Sequence, residues 1–210
     1  MKTIIAVTFL GIVMNAFARD SIQKKKCHYG AMSGFNSTRY LQMPLTYETH
    51  AEKATFPVVC RVTETTQISG GKVDTITYEY YQSSLCGQQT TSLCCSRIAY
   101  YSEGNCNANV DDMKDGQYSE VCRITYDTYY DDSEILKDVE FTVYTSVIDT
   151  DYKNYAIVYR CIDNGQYDNI LVLKTNKDAK NDLVRKALRK KGMKLKTFSS
   201  RTDNAYCDKK

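Results

Sequence analysis

The 210-residue sequence predicts an all-β, antiparallel fold, and three observations carry that reading. The chain holds 18 Tyr, no Trp and only two Pro, a composition that favours pleated, half-buried strands. Short runs alternate apolar and polar residues at period two over much of its length. The third observation is the stretch Thr145–Cys161, TSVIDTDYKNYAIVYRC. Val139, Phe141, Val143 and Val147 share one parity before its polar Asp149-Thr150-Asp151 centre, and Tyr155, Ile157 and Tyr159 alternate with Ala156, Val158 and Arg160 after it. Two such runs around a turn read as an antiparallel hairpin with one buried face. Asp149 and Asp151 are expected to accept hydrogen bonds from the turn's N–H groups. Ile170–Lys174, beyond the turn signal Asp163-Asn164-Gly165, extends the hairpin into a meander.

From the N-terminus, Met1–Ala18 combines Lys2, an apolar run and Ala16-Phe17-Ala18, which reads as a secretory signal peptide. Residues 19–210 are then a single domain of about 190 residues, long enough for a sizeable core. Residues 19–26 form a basic arm expected to be mobile, and Asn36-Ser37-Thr38 is a glycosylation sequon at Asn36. Gly70-Gly71, between Val62–Ile68 and Val73–Tyr81, signals a hairpin. In the strand VDTITYEYYQ, Ile76, Tyr78 and Tyr80 fall on one face and are expected to line the interior, opposite Thr75, Thr77 and Glu79. In CRITYDTYY, Ile124 and Tyr126 share a parity opposed to Arg123. Asp111-Asp112 with Asp115-Gly116 does not follow calcium-loop order and reads as a turn, and Asp131–Glu134 as a solvated turn or an acidic docking patch. Residues 178–191, DAKNDLVRKALRKK, predict one helix with a stripe of Leu183, Val184, Ala187 and Leu188, ended by Gly192. Its Arg185, Lys186, Arg189, Lys190 and Lys191 are either a solvated face or a contact for an anionic surface.

The formal net charge of +3 is too small to imply nucleic-acid binding. Beyond the leader, no run is apolar and long enough to span a membrane. Only His28 and His50 could serve as a base, and neither lies in a recognisable catalytic motif, so no enzyme is expected. Nine cysteines suit an oxidising compartment, and their spacing favours disulfides over a metal site.

TDYKNYA with its downstream Cys161, together with the leader, the cysteines and the tail to Cys207, resembles the salivary lipocalins of blood-feeding triatomine bugs, the pallidipin, triabin and nitrophorin group, pallidipin-like members above all. The resemblance implies an eight-stranded antiparallel lipocalin barrel with a C-terminal helix. It also implies the pairs Cys27–Cys161, Cys60–Cys207 and Cys106–Cys122. Cys86 is then left to bond Cys94 or Cys95, with one thiol free or linking a dimer, so that the protein is a monomer or a disulfide-linked dimer. Thr46 stands where lipocalins often carry a floor Trp, and Lys174 where an Arg commonly covers that ring, so the barrel floor must be packed differently. Glu79 falls where nitrophorins carry the haem-ligating His, and a carboxylate is not the usual haem ligand, so no haem or other cofactor is expected.

By the same resemblance, the protein is secreted in saliva and antagonises host haemostasis. Two mechanisms follow. In the first, the barrel scavenges a small hydrophobic host mediator, an eicosanoid-like platelet agonist, in a cup lined by Ile76, Tyr78, Tyr80, Ile124 and Tyr126. Arg39, Arg123 and Arg160 would then meet a ligand carboxylate, Arg123 only if a bulge turns it inward. In the second, loops and the basic helix bind a host haemostatic protein, such as a coagulation or contact-pathway protease. A barrel simply filled by its tyrosines, with no cup, is the plainer alternative to the first.

Overall fold

The structure, a computed structural model, describes residues 27, 29–43, 45–53, 58–82, 99–128, 140–162, 167–202 and 205–208. The leader, the basic arm, His28, Cys86, Cys94, Cys95, Asp131–Glu134 and the 163–165 turn signal lie outside them.

Eight antiparallel strands close a barrel: β1 Leu45–Ala51, β2 Val58–Ile68, β3 Lys72–Gln82, β4 Ala99–Asn109, β5 Gln117–Asp127, β6 Glu140–Thr150, β7 Tyr155–Ile162 and β8 Tyr167–Lys174. Each strand pairs with the next, β8 returns to β1 at Tyr47↔Lys174, and β1 closes on β2 at Leu45↔Glu64. Closure leaves the barrel strands without free edges. A ninth short strand, β9 Ser199–Ser200, pairs with β1 at His50↔Ser200 and Ala51↔Ser199. Gly70 and Gly71 join β2 to β3 at φ 77° and 71°, a left-handed conformation that glycine adopts without steric cost.

The β6–β7 hairpin is buried on both faces, not one. Ala156 and Val158 face the barrel interior, packed with Val147, Leu171 and Leu173. Tyr155, Ile157, Tyr159 and Cys161 lie in a second cluster outside the barrel with Ile148, beneath a C-terminal helix. Of the two aspartates only Asp151 accepts from the turn's N–H groups, beside Thr150, whose hydroxyl accepts from Tyr152 N–H (2.9 Å) and donates to the Tyr155 carbonyl (2.7 Å). Asp151 Oδ1 accepts from the backbone N–H groups of Lys153 (3.0 Å), Asn154 (2.7 Å) and Tyr155 (3.2 Å). Burial acts to raise the Asp151 carboxyl, but these donors and the Asn154 amide outweigh it and hold the group below its usual range. Asp149 remains in β6 and accepts instead from the Tyr155 hydroxyl at 2.7 Å.

Among the described residues the helices are α1 Ser37–Tyr40 and α2 Asp182–Lys190. α2 starts later than the sequence suggests, because residues 174–181 wrap the Lys174 ammonium. That group is buried and donates to the carbonyls of Lys177 (3.2 Å) and Ala179 and to Asn181 Oδ1 (3.0 Å). Val184, Ala187 and Leu188 bury the helix against the barrel, whereas Leu183, expected in the stripe, is 50% exposed. In place of a floor Trp, Met43, Met113 and Tyr118 are buried and packed with Phe35, Tyr40 and Leu41. Asn36 caps α1 by accepting from Arg39 N–H at 2.9 Å.

Among the described residues, three disulfides staple the barrel, between the pairs the resemblance implied. Cys27–Cys161 ties the N-terminal segment to β7, Cys60–Cys207 ties the C-terminal 3-10 turn Ala205–Asp208 to β2, and Cys106–Cys122 crosses directly between β4 and β5.

Candidate ligand-binding site

The face of β3 that looks inward is the opposite of the one expected. Val73 packs in the floor cluster, Thr75 lines the floor, and Thr77 and Glu79 line a cavity above it. Ile76, Tyr78 and Tyr80 therefore point outward, where Tyr80 packs against Tyr101 of β4 (ring centroids 5.1 Å apart) and Tyr206 (5.3 Å). Nor are β3 and β5 neighbours, since β4 stands between them. Ile124 does line the cavity, but Tyr126 does not. The β4–β5 register shifts between Glu103 and Gly104, so Tyr126 turns outward, 49% exposed, and Asp127 turns in to accept from Tyr81 OH at 2.8 Å. The bulge thus expels Tyr126. Arg123, exposed, stands at the cavity rim. Arg39 lies at the opposite end, with its guanidinium 4.4 Å from the centre of the Tyr152 ring. Arg160 reaches the interior.

The cavity has a volume of about 250 Å³. Val58, Ile124, Phe141, Val143, Ile162 and Leu171 supply apolar wall, and the Cys106–Cys122 bridge forms part of it. Against that wall stand four arginines, Arg61, Arg123, Arg160 and Arg201, and two acids, Glu79 and Asp168. Both acids are already engaged: Arg61 Nε donates to Glu79 at 2.6 Å, and Lys53 pairs with Asp168. Behind them Glu48, 1% exposed, bridges Arg61 (2.8 Å) and Arg201. Burial acts to raise the Glu48 carboxyl, but the Arg61, Arg201 and Arg160 guanidiniums outweigh it and hold it below the usual carboxylate range. Arg201 moves down, chiefly because burial disfavours its charge.

Arg160 stands between this cavity and a small floor space of about 20 Å³ that is also lined by Tyr40, Tyr118 and Glu120 beside Met43, Met113 and Leu173. Its pairing is loose. Glu120 lies 3.7 Å away and also accepts from Thr145 Oγ1 at 3.2 Å, while Arg160 Nε is buried with no hydrogen-bond partner among the described residues. A buried donor in that state is costly unless a ligand or water completes it. The arrangement offers an apolar enclosure with excess positive charge.

The triabin family model matches residues 20–184. The chain belongs to the triabin family. Its relatives include triplatin of Triatoma infestans, 34% identical over 99% of this chain and 98% of that one. Platelet inhibitor triplatin-2 of the same bug is 32% identical over 96% and 98%. Among solved structures, the tryptamine complex of the amine binding protein of Rhodnius prolixus superposes with a TM-score of 0.62 at 22% identity, covering 83% of this triabin-family chain and 84% of that protein, a likeness of fold. No helix among the described residues is long and apolar enough to cross a membrane.

Sequence reasoning missed Arg61, Arg201, Glu48 and the inward role of Glu79. One signal was available for Glu79, which interrupts the otherwise apolar or hydroxylated face Val73, Thr75, Thr77 and Tyr81, and for Arg61, which stands between Val59 and Thr63. Arg201 gave none, because it follows a two-residue strand.

Proposed function

We propose that this triabin-family protein is secreted in saliva and impairs host haemostasis by sequestering a small amphipathic anion, an eicosanoid-like platelet agonist, in its barrel. The observation that carries the reading is the charge of the cavity: four arginines face an apolar wall, and its two acids are already paired. A lipid carboxylate would find Arg160 and Arg123 while its chain covers Phe141, Ile124 and Leu171. A compact amine would have to displace Arg61 from Glu79 or Lys53 from Asp168. The name of the relative platelet inhibitor triplatin-2 supports the platelet as target. No cofactor enters this reading. Glu79, on the inner face, is held by Arg61, so haemin should give no ferric-imidazole spectrum with this protein.

The second reading, inhibition of a host clotting protein, is favoured by one observation. Arg185, Lys186, Arg189, Lys190 and Lys191 are all exposed on or just beyond α2. Parallel calorimetric titrations with a stable thromboxane mimic and with serotonin test the first reading, and it predicts saturable binding of the lipid alone. Tight serotonin binding without lipid binding would sink it, and clotting inhibition with neither ligand bound would favour the second.

A further inference from the structure

The outer face of the barrel carries a second pocket that the cavity reading does not use. Tyr78 and Tyr80 of β3, Tyr101 of β4 and Tyr206 of the C-terminal turn surround a space of about 90 Å³, closed by Val62 and the Cys60–Cys207 bridge. That is room for about three waters or a small organic headgroup. The rings meet at angles, Tyr80 with Tyr101 at 47° and Tyr80 with Tyr206 at 38°, and so wall the space on several sides instead of stacking flat. Strand faces turned away from a barrel's interior are normally polar, so four phenols around one hollow are not the ordinary outcome of pairing.

The charged residues flanking the pocket itself are acidic, and the basic residues of this face, Arg123 opposite Asn105 and Lys72 opposite Ile68, lie further along it. Tyr78 is opposite Glu103, whose carboxylate accepts from Tyr101 OH at 2.6 Å, and Ile76 is opposite Glu64. Among the described residues, Cys60, Val62, Glu64, Ile76, Tyr78, Tyr80, Tyr101 and Glu103 make up the face around the pocket, and its charged members are Glu64 and Glu103. The contrast with the arginine-rich interior is sharp, across one layer of sheet. Aromatic π-faces carry negative potential and attract alkylammonium groups, which shed water readily and need no directed hydrogen bond. A carboxylate at the margin adds long-range attraction.

We infer that the Tyr78–Tyr80–Tyr101–Tyr206 pocket on the outside of the barrel is a binding site for a small alkylammonium cation, separate from the interior cavity. The C-terminal turn then does more than seal the barrel wall, because it contributes the fourth ring and is held in place by Cys207. The chemistry selects a charged, weakly hydrated headgroup over a neutral group of equal shape.

The test uses the intact secreted protein, with choline and its uncharged isostere 3,3-dimethyl-1-butanol titrated by calorimetry and by tyrosine fluorescence. Choline is expected to saturate one site, and the isostere to bind roughly tenfold more weakly or not at all. Tyr80→Leu keeps apolar bulk but removes a π-face, and should weaken choline roughly tenfold. Glu103→Gln, which preserves the acceptor for Tyr101, should weaken it by a smaller factor, and an unchanged melting curve shows that the fold is kept. Equal binding of choline and isostere would reduce the site to a merely greasy hollow. Absence of saturation, or choline binding undiminished in both variants, would overturn the inference outright.

Discussion

Glu48 concentrates the residue-scale energetics. A carboxylate 1% exposed is stable only because Arg61 and Arg201 flank it. Removing one partner of such a buried cluster costs about 3–5 kcal/mol, so Glu48→Gln should lower unfolding free energy by that order in denaturant titrations. The sign of its pH dependence follows from the depressed carboxyl. In the unfolded chain Glu48 would bind a proton at ordinary carboxylate pH, whereas in the folded chain it resists until lower pH. Its stabilisation is therefore complete above the unfolded value, near pH ~4, and is lost as pH falls towards the folded one. Asp151 adds to the same acid-side loss, since its pKa is lowered too. Asp151→Ala, which strands three N–H groups at the turn, should destabilise by about 1–3 kcal/mol, read as a fall in the denaturant midpoint. The aspartate was visible in the sequence because a turn needs such an acceptor. The Arg160 environment was not, since parity groups it with Ala156 and Val158 but gives neither the face that is inside nor its partners.

At the scale of elements, β6, β7 and α2 were legible, because each repeats a strong period over many residues. Their boundaries moved where a side chain demanded it. Lys174 draws residues 177–181 into a carbonyl cradle, and the helix can begin only beyond that cradle. β3 misled for a physical reason: its outer face is covered by tyrosines and the C-terminal turn, so the more apolar side faces out and the threonines and Glu79 face in. Alternation gives the period of a strand, but which face is inside depends on what covers the other. A bulge at Glu103–Gly104, with no Gly or Pro in β5 itself to announce it, then reversed Tyr126 relative to Ile124. The buried stripe of α2 predicts that Leu188→Ala loosens the helix at a cost of about 2–5 kcal/mol, whereas Leu183→Ala, at an exposed position, changes stability by less than about 0.5 kcal/mol. Thermal melts of the two variants separate these outcomes.

For the whole molecule, closure of eight strands places an arginine-lined cavity inside and a tyrosine-lined pocket beside Glu103 outside. The Cys106–Cys122 bridge lies in the cavity wall and also locks β4 to β5. Replacing both cysteines by Ser should cost about 3 kcal/mol for a loop of this length, and should alter ligand binding as well as the melting temperature. The central claim is that the barrel recognises a lipid by its carboxylate through Arg160. The measurement that addresses it most directly is calorimetry with an eicosanoid acid and its methyl ester, on the native protein and on Arg160→Met. The native protein should bind the acid at least about tenfold more tightly than the ester, matching the about 1.5–3 kcal/mol of a charged hydrogen bond, and Arg160→Met should erase the difference. Equal binding of acid and ester by the native protein, or an acid preference that survives Arg160→Met, would contradict it.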